Sequence, residues 1–199
     1  MKSFFQLILS LFIINQVHGQ NSMTRFDVFF KGSNIGSVVA INVNNAGTTV
    51  RDVKTRTNVK VLLTSIRMES ELKVIYENGI MKNGTAYRKA NQGNEDMETT
   101  TTRIRSKTYT IETFNQKSKL ENTEIKFCVA DLYFSEPTHI RKVFSNMYGV
   151  FLEIEKVGAS TYLINLPDGR KTYFLYEKGQ IDSIEVEMGF GKIITKRKV

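Results

Sequence analysis

Hydrophobic side chains recur at every second position through most of the chain, the spacing that places them on one face of an extended strand. Phe26, Val28 and Phe30 share a face, and Val39, Ile41 and Val43 repeat the pattern after a turn expected at Ser33 to Gly36, so the two segments are expected to form a hairpin. Arg51 to Glu77 reads as two long strands, with Leu62, Thr64 and Ile66 on one face of the first and Leu72, Val74 and Tyr76 on one face of the second. Asn78-Gly79 marks a turn into a strand at Ile80 to Ala90, and Asn91 to Asp96 is a polar loop. From Met97 to Glu121 the alternation is weaker. There the tract Thr99 to Thr102 favours extended backbone through β-branching, and Tyr109 and Ile111 supply an inner face.

One stretch departs from this period. Ile140, Val143, Phe144 and Met147 fall at i, i+3, i+4 and i+7, which predicts a short amphipathic helix over Glu136 to Tyr148. Ser135 suits its N-cap, Pro137 its first turn and Gly149 its termination. Alternation then resumes. Pro167-Asp168-Gly169 joins Thr161–Leu166 to Lys171–Glu177, and Lys178-Gly179 leads into Ile184, Val186 and Met188, with Ser183, Glu185 and Glu187 on the opposite face. With no fixed-period repeat and no Pro-rich linker, the expectation is an all-β, mainly antiparallel fold. It is a single curved sheet, a half-barrel or a barrel, of about eleven strands, with the one helix over its open mouth or concave face.

The first nineteen residues stand outside this pattern. Lys2 precedes an apolar run from Phe4 to Ile14, and Val17-His18-Gly19 offers small-residue spacing for cleavage before Gln20, so residues 1–19 read as a secretory signal and 20–199 as one β-rich domain. The run is too short to span a bilayer. The mature protein is therefore expected to be periplasmic or secreted, without a transmembrane helix. Gln20, where a bacterial lipid anchor needs cysteine, argues against lipidation.

Charge and cysteine usage narrow the partners. The chain carries a formal +8 and loses only Lys2 of that with the leader, which in an exported protein points to anionic envelope surfaces before nucleic acid. The basic residues are dispersed, with the densest run, Lys196-Arg197-Lys198, at the C-terminus and no recognition helix, so nucleic-acid binding is not expected. Cys128 is the one cysteine, lies in the apolar run Ile125 to Val129 and reads as a small buried hydrophobe, and no intramolecular disulfide is possible.

Enzyme chemistry finds few candidates. Cys128 and His139 are the only nucleophilic thiol and imidazole after residue 19, and no nucleophile motif surrounds the cysteine. Asp131, Glu136 and His139 match no common metal-ligand spacing. Glu69 with Glu71, and Glu185 with Glu187, share faces at strand spacing and read as solvated pairs rather than an acid/base couple. Gly189-Phe190-Gly191 is too short to cradle a phosphate, and Asn83-Gly84-Thr85 is a glycosylation sequon by pattern only. No catalytic, cofactor-binding or metal-ligating residue is assigned.

Four segments are familiar as well as patterned: Asp131-Leu132-Tyr133-Phe134-Ser135-Glu136-Pro137, Val143-Phe144-Ser145 with Gly149, Tyr162 to Gly169, and Tyr173-Phe174-Leu175-Tyr176. With Phe26-Asp27-Val28 and Ile35-Gly36, they make the chain resemble a family of uncharacterised exported proteins from Bacteroidetes-type bacteria. The resemblance implies a signal peptide and a β-rich fold, and supplies no activity or catalytic residue to carry over. In general look the chain is similar to periplasmic curved-sheet or half-barrel proteins that handle lipid or lipoprotein cargo. Three functions stand open: a non-catalytic carrier or sensor that binds an apolar or lipid-like ligand in its concave sheet; an envelope interaction or structural module; and, third, a hydrolase.

Overall fold

Two-residue turns shape the molecule. Lys31-Gly32, Ala46-Gly47, Asn78-Gly79 and Lys178-Gly179 all place both residues at positive φ, the geometry whose twist matches a tight antiparallel hairpin. The computed structural model describes residues 21–61, 64–92, 96–114, 116–189 and 191–198. The expected leader, Gln20, Leu62, residues 93–95 of the polar loop and Phe190 lie outside the described residues, as does the Thr64 side chain. The strands are β1 (Ser22–Phe30), β2 (Ser33–Asn45), β3 (Thr48–Val61), β4 (Thr64–Glu77), β5 (Ile80–Ala90), β6 (Met97–Arg105), β7 (Thr108–Thr113), β8 (Gln116–Glu121), β9 (Lys142–Ser145), β10 (Val150–Glu153), β11 (Glu155–Lys156), β12 (Thr161–Asn165), β13 (Lys171–Glu177), β14 (Gln180–Met188) and β15 (Gly191–Arg197).

Thirteen of these form one antiparallel sheet in the order β11-β12-β13-β14-β15-β1-β2-β3-β4-β5-β6-β7-β8. The fold is all-β, as the alternation predicts. Every neighbour is a sequence neighbour except β15 and β1, where the two ends of the chain pair, Phe26 opposite Arg197 and Val28 opposite Thr195. The described strands do not close into a barrel: β11 and β8 are edges. Register shifts at Val28/Phe29, Ile75/Tyr76, Arg103/Arg105 and Leu175/Tyr176 punctuate the sheet, and bulges of this kind bend strands and increase their twist.

The predicted helix is absent. Residues 136–141 are turn and irregular backbone, and 142–153 form the hairpin β9–β10, with Phe144 opposite Phe151 and Val143 opposite Leu152. Val143, Phe144 and Ser145 are all buried, because β9 is covered on both sides, and consecutive buried positions imitate a helical stripe in sequence. Gly149 does adopt positive φ, at 67°, but it ends the hairpin turn, its N–H donating to Ser145 O at 2.8 Å. Among the described residues the one helical element is a 3-10 turn, Val129–Tyr133, just upstream of the expected start.

Two expected strand faces also change. The first turn is Lys31-Gly32, not Ser33 to Gly36, so Phe26 pairs with Val38, and Val38, Ala40 and Asn42 face inward in place of Val39, Ile41 and Val43. With a side-chain period of two, a misplaced turn turns the whole strand over. Likewise β3 ends at Val61 and β4 begins at Thr64, which puts Ile66 on the second long strand instead of the first and leaves it exposed. On the second long strand, Val74 and Tyr76 are buried and Leu72 packs on the core, as expected.

Residues 122–154 leave the sheet after β8, cross its concave face and rejoin it at β11. The 3-10 turn in this insert packs against β3 and β4 on one arm of the sheet and β14 on the other. Ile125, Cys128, Leu132, Val143 and Phe144 are fully buried in a core shared with Phe26, Val38, Val74, Tyr162 and Phe174. The sheet makes room where its side chains are small: Gly84, Ala86, Thr99 and Thr101 line β5 and β6 beneath the insert. A Cβ on Gly84 would lie 2.0 Å from Asn146 Nδ2, so any larger residue there displaces the buried Asn146 side chain of the insert. Phe144 tests this packing. Its ring has no solvent exposure and meets Phe151 edge-on at 5.3 Å. Phe144→Ala should destabilise the fold by about 3 kcal/mol or more, read as a lower urea midpoint at unchanged slope; an unchanged midpoint would mean the insert is not part of the core.

Candidate ligand cavity

Asp131 fastens the insert to the sheet. Its carboxylate accepts hydrogen bonds from Arg51 Nε at 3.0 Å, from the Tyr76 hydroxyl and from Cys128 N at 2.7 Å. Arg51 and Tyr76 stand on β3 and β4, and Arg51 also donates to Asn42 and lies over the Phe134 ring at 4.7 Å. Burial pushes the Asp131 carboxyl above the usual carboxylate range, against the opposing pull of Tyr76, Cys128 N–H and Arg51. From the other arm of the sheet, Tyr176 donates to Leu132 O at 2.8 Å and Tyr162 to Glu136 at 2.9 Å.

The insert fills one end of the concave face, where β4 finishes and β5 begins. At the opposite end, where β14 finishes and β15 begins, it leaves a half-enclosed cavity of about 270 Å³. Inward side chains of both arms line it, including Val53 and Leu72 from one arm and Phe174, Ile184 and Val186 from the other. The expected face Ile184, Val186 and Met188 is therefore a cavity wall. On β13 the double-sided run Tyr173 to Tyr176 turns Phe174 and Tyr176 inward, while Tyr173 lies on the outer face beneath Lys192.

Two consecutive residues of the β9–β10 turn span this cavity. Met147 O accepts from Thr99 Oγ1 on β6 at 2.9 Å, and the Tyr148 hydroxyl donates to Asp168 in the turn between β12 and β13, so the turn links the two arms. Asp168 is held well below the usual carboxylate range chiefly by Arg170, whose Nε is 3.0 Å away. Arg170 and Arg88 are the charged residues in the cavity lining. Neither arginine is marked by a motif. The readable signal for Arg88 is parity, since it follows Gly84 and Ala86 on the inward face of β5.

A family model matches residues 26–198, from the first buried residue of β1 to beyond the end of β15, and its description is a domain of unknown function, DUF6134. The chain belongs to the DUF6134 family. Searches among curated proteins and solved structures return no match. The segments on which the resemblance rests are, in this DUF6134 chain, the ones that fasten the insert to the sheet: Asp131, Leu132, Phe134 and Glu136 on one side, Tyr162 and Tyr176 on the other.

The candidate reactive residues are dispersed. Cys128 is fully buried, its sulfur 3.6 Å from Met81 Sδ, and burial raises its thiol well above the ordinary value. His139 is exposed in a turn beside a second depression, of about 510 Å³, bordered by Arg141, Glu153 and Lys156, all exposed. Asp131, Glu136 and His139 do not converge: the first is paired with Arg51, the second with Tyr162, and among the described residues no group of three His, Cys, Asp or Glu is placed to hold a metal. Glu69 and Glu71 face Arg56 and Lys54, and Glu185 and Glu187 share Lys192, as cross-strand ion pairs. In the C-terminal run, Lys198 pairs with Asp27 at 2.9 Å and Arg197 donates to Gln180. No helix among the described residues is long and apolar enough to cross a membrane. Burial of Cys128 should leave its thiol nearly unlabelled by an alkylating reagent in folded protein and fully labelled in denaturant. Rapid labelling of the folded chain, suppressed by His139→Ala, would reinstate a thiol–imidazole site.

Proposed function

We propose that this protein is a non-catalytic carrier or sensor that holds an apolar ligand in its concave sheet. The observation that carries the reading is the cavity of about 270 Å³ with a wall of Val, Leu, Ile, Phe and Met side chains contributed by both arms. Protein interiors are close-packed, and an unfilled apolar space forfeits dispersion contacts, so a cavity of this size suits a bound apolar group. An interaction module acting through its sheet edges is less well supported, since edge strand β8 carries Lys117 and Lys119, the charges that block strand addition.

Filling the cavity tests the reading. Decan-1-ol should bind the wild-type protein in calorimetric titration, and Ser70→Phe or Ile193→Trp, two lining positions that are only half-buried, should weaken binding tenfold or more at an unchanged denaturation midpoint. A wild-type chain that takes up no alkyl probe, or filled variants that bind as well as it does, would sink the idea.

We further propose that the chain is exported with loss of residues 1–19, which is supported by Lys2, the apolar run Phe4 to Ile14 and Val17-His18-Gly19. N-terminal sequencing of the protein from its native source should begin at Gln20. Retention of Met1 in cytoplasmic material would contradict export.

A further inference from the structure

We propose, resting on the apolar-cavity reading above, that the ligand carries one uncharged oxygen function on its apolar chain, an alcohol or a carbonyl, and that Tyr133 is the residue that binds this oxygen. The chain then lies against Val53, Leu72, Phe174 and Ile184 of the two arms.

The first observation is a placed ring with an idle hydroxyl. Tyr133 ends the 3-10 turn that Asp131 fastens, lines the cavity, and meets Phe26 of β1 edge-on at 5.7 Å. The neighbouring tyrosines Tyr76, Tyr162 and Tyr176 donate to Asp131, Glu136 and Leu132 O, whereas among the described residues nothing pairs with the Tyr133 hydroxyl. Burial alone pushes that hydroxyl up to about 12, with no hydrogen bond or charge acting on it. Nor is the oxygen sealed in. Among the described residues the buried side-chain atoms without a partner are Asp52 Oδ1, Thr101 Oγ1 and Asn146 Oδ1, so Tyr133 Oη opens onto accessible space, and the space that Tyr133 lines is the cavity. A polar group held in apolar surroundings without a partner is costly, and a ligand oxygen would relieve it.

The second observation is the row of the sheet beneath the ring. Phe26 pairs with Val38, Val38 with Thr55 and Thr55 with Ser70, a single cross-strand row from β1 to β4. Thr55 and Ser70 line the cavity half-buried, and among the described residues neither hydroxyl has a protein partner. The third is charge. No carboxylate lines the cavity, and Arg170 is engaged by Asp168 through Nε and Nη2. The unpartnered groups are hydroxyls, which both donate and accept and so match a neutral oxygen. About 270 Å³ is just below the roughly 300–1,000 Å³ of small-molecule pockets, which suits one chain of modest length.

The test offers the full chain three neutral probes, octane, octan-1-ol and octan-2-one, whose uptake is followed by depletion of the headspace vapour, with octanoate titrated calorimetrically. All three neutral probes should bind, and octanoate should bind no more tightly than octan-1-ol. Tyr133→Phe keeps the ring and removes one oxygen, so it should weaken octan-1-ol and octan-2-one at least threefold and leave octane unchanged. Because the hydroxyl bonds nothing in the free protein, the variant should also keep the wild-type denaturation midpoint; a lower midpoint would reveal a structural partner and overturn the assignment. Alcohol and ketone affinities untouched by Tyr133→Phe, an equal loss for octane, or tighter binding of octanoate than of the alcohol overturns the oxygen assignment and leaves the apolar cavity standing. Failure of every probe to bind overturns both.

Discussion

Everything in this molecule depends on one buried carboxylate. A thirteen-stranded sheet that does not close leaves an apolar concave face, and that face must be covered. The cover is a segment whose own regular structure is one short hairpin and one 3-10 turn, neither hydrogen-bonded into the large sheet as a strand, so hydrophobic contact alone would let it settle in many positions. Asp131 removes that freedom. Burying a carboxylate is unfavourable unless its oxygens are paired, and here pairing requires Arg51 from β3, Tyr76 from β4 and the N–H of Cys128 together. A displacement of the insert by one residue would leave the buried acid without Arg51 and Tyr76. The pair acts chiefly by penalising the alternatives, a use of buried charge that fits a loop-like cover on a long, curved sheet.

Once the insert is fixed, the cavity follows from what it does and does not reach. Small residues at Gly84, Ala86, Thr99 and Thr101 let the backbone of the insert approach β5 and β6 closely. At the other end the sheet carries Leu72, Phe174, Ile184 and Val186, larger side chains that still do not meet across the space. The fastening at Asp131 and the opening beside Arg88 and Arg170 are thus two ends of one arrangement. The first end is closely packed, and the second is left unfilled. The link between Thr99 and Asp168 through Met147 and Tyr148 holds the arms at a defined separation there.

Much of this fold was legible because strands obey a short period. The all-β class, the strands around Ile80 to Ala90 and Lys171 to Glu177, the turns at Asn78-Gly79 and Lys178-Gly179 and the inward face of Ile184, Val186 and Met188 follow from alternation and turn chemistry. What misled was local pattern with two physical origins. The stripe Ile140, Val143, Phe144 and Met147 satisfies helical spacing, yet β9 buries consecutive residues because it is covered on both sides. The inward face of β2 turned on whether the chain reverses at Lys31-Gly32 or two residues later, and both segments carry turn-forming residues. Burial of Cys128 was readable from its apolar neighbours. The partnership of Asp131 with Arg51, across eighty residues of sequence, was not.

The motifs that make the chain recognisable include its fastenings. Clusters such as Asp131 to Pro137 invite a search for chemistry, since they combine acids, aromatics and a nearby histidine. In the fold these residues are occupied in holding the insert, for Asp131 receives Arg51 and Tyr76, Leu132 O receives Tyr176, Glu136 receives Tyr162, and Phe134 lies beneath Arg51. A sheet whose arms meet only at the chain termini needs such fastening, and the residues that provide it form the distinctive sequence. The cavity wall, by contrast, is made of Val, Ile, Leu, Met and Thr at ordinary strand spacing and leaves no signature. Arg88 is visible only by parity, as a charge on a face of β5 that otherwise points inward. In this chain the recognisable residues mark what holds the cover in place, and the cavity is lined by inconspicuous positions at the opposite end of the sheet.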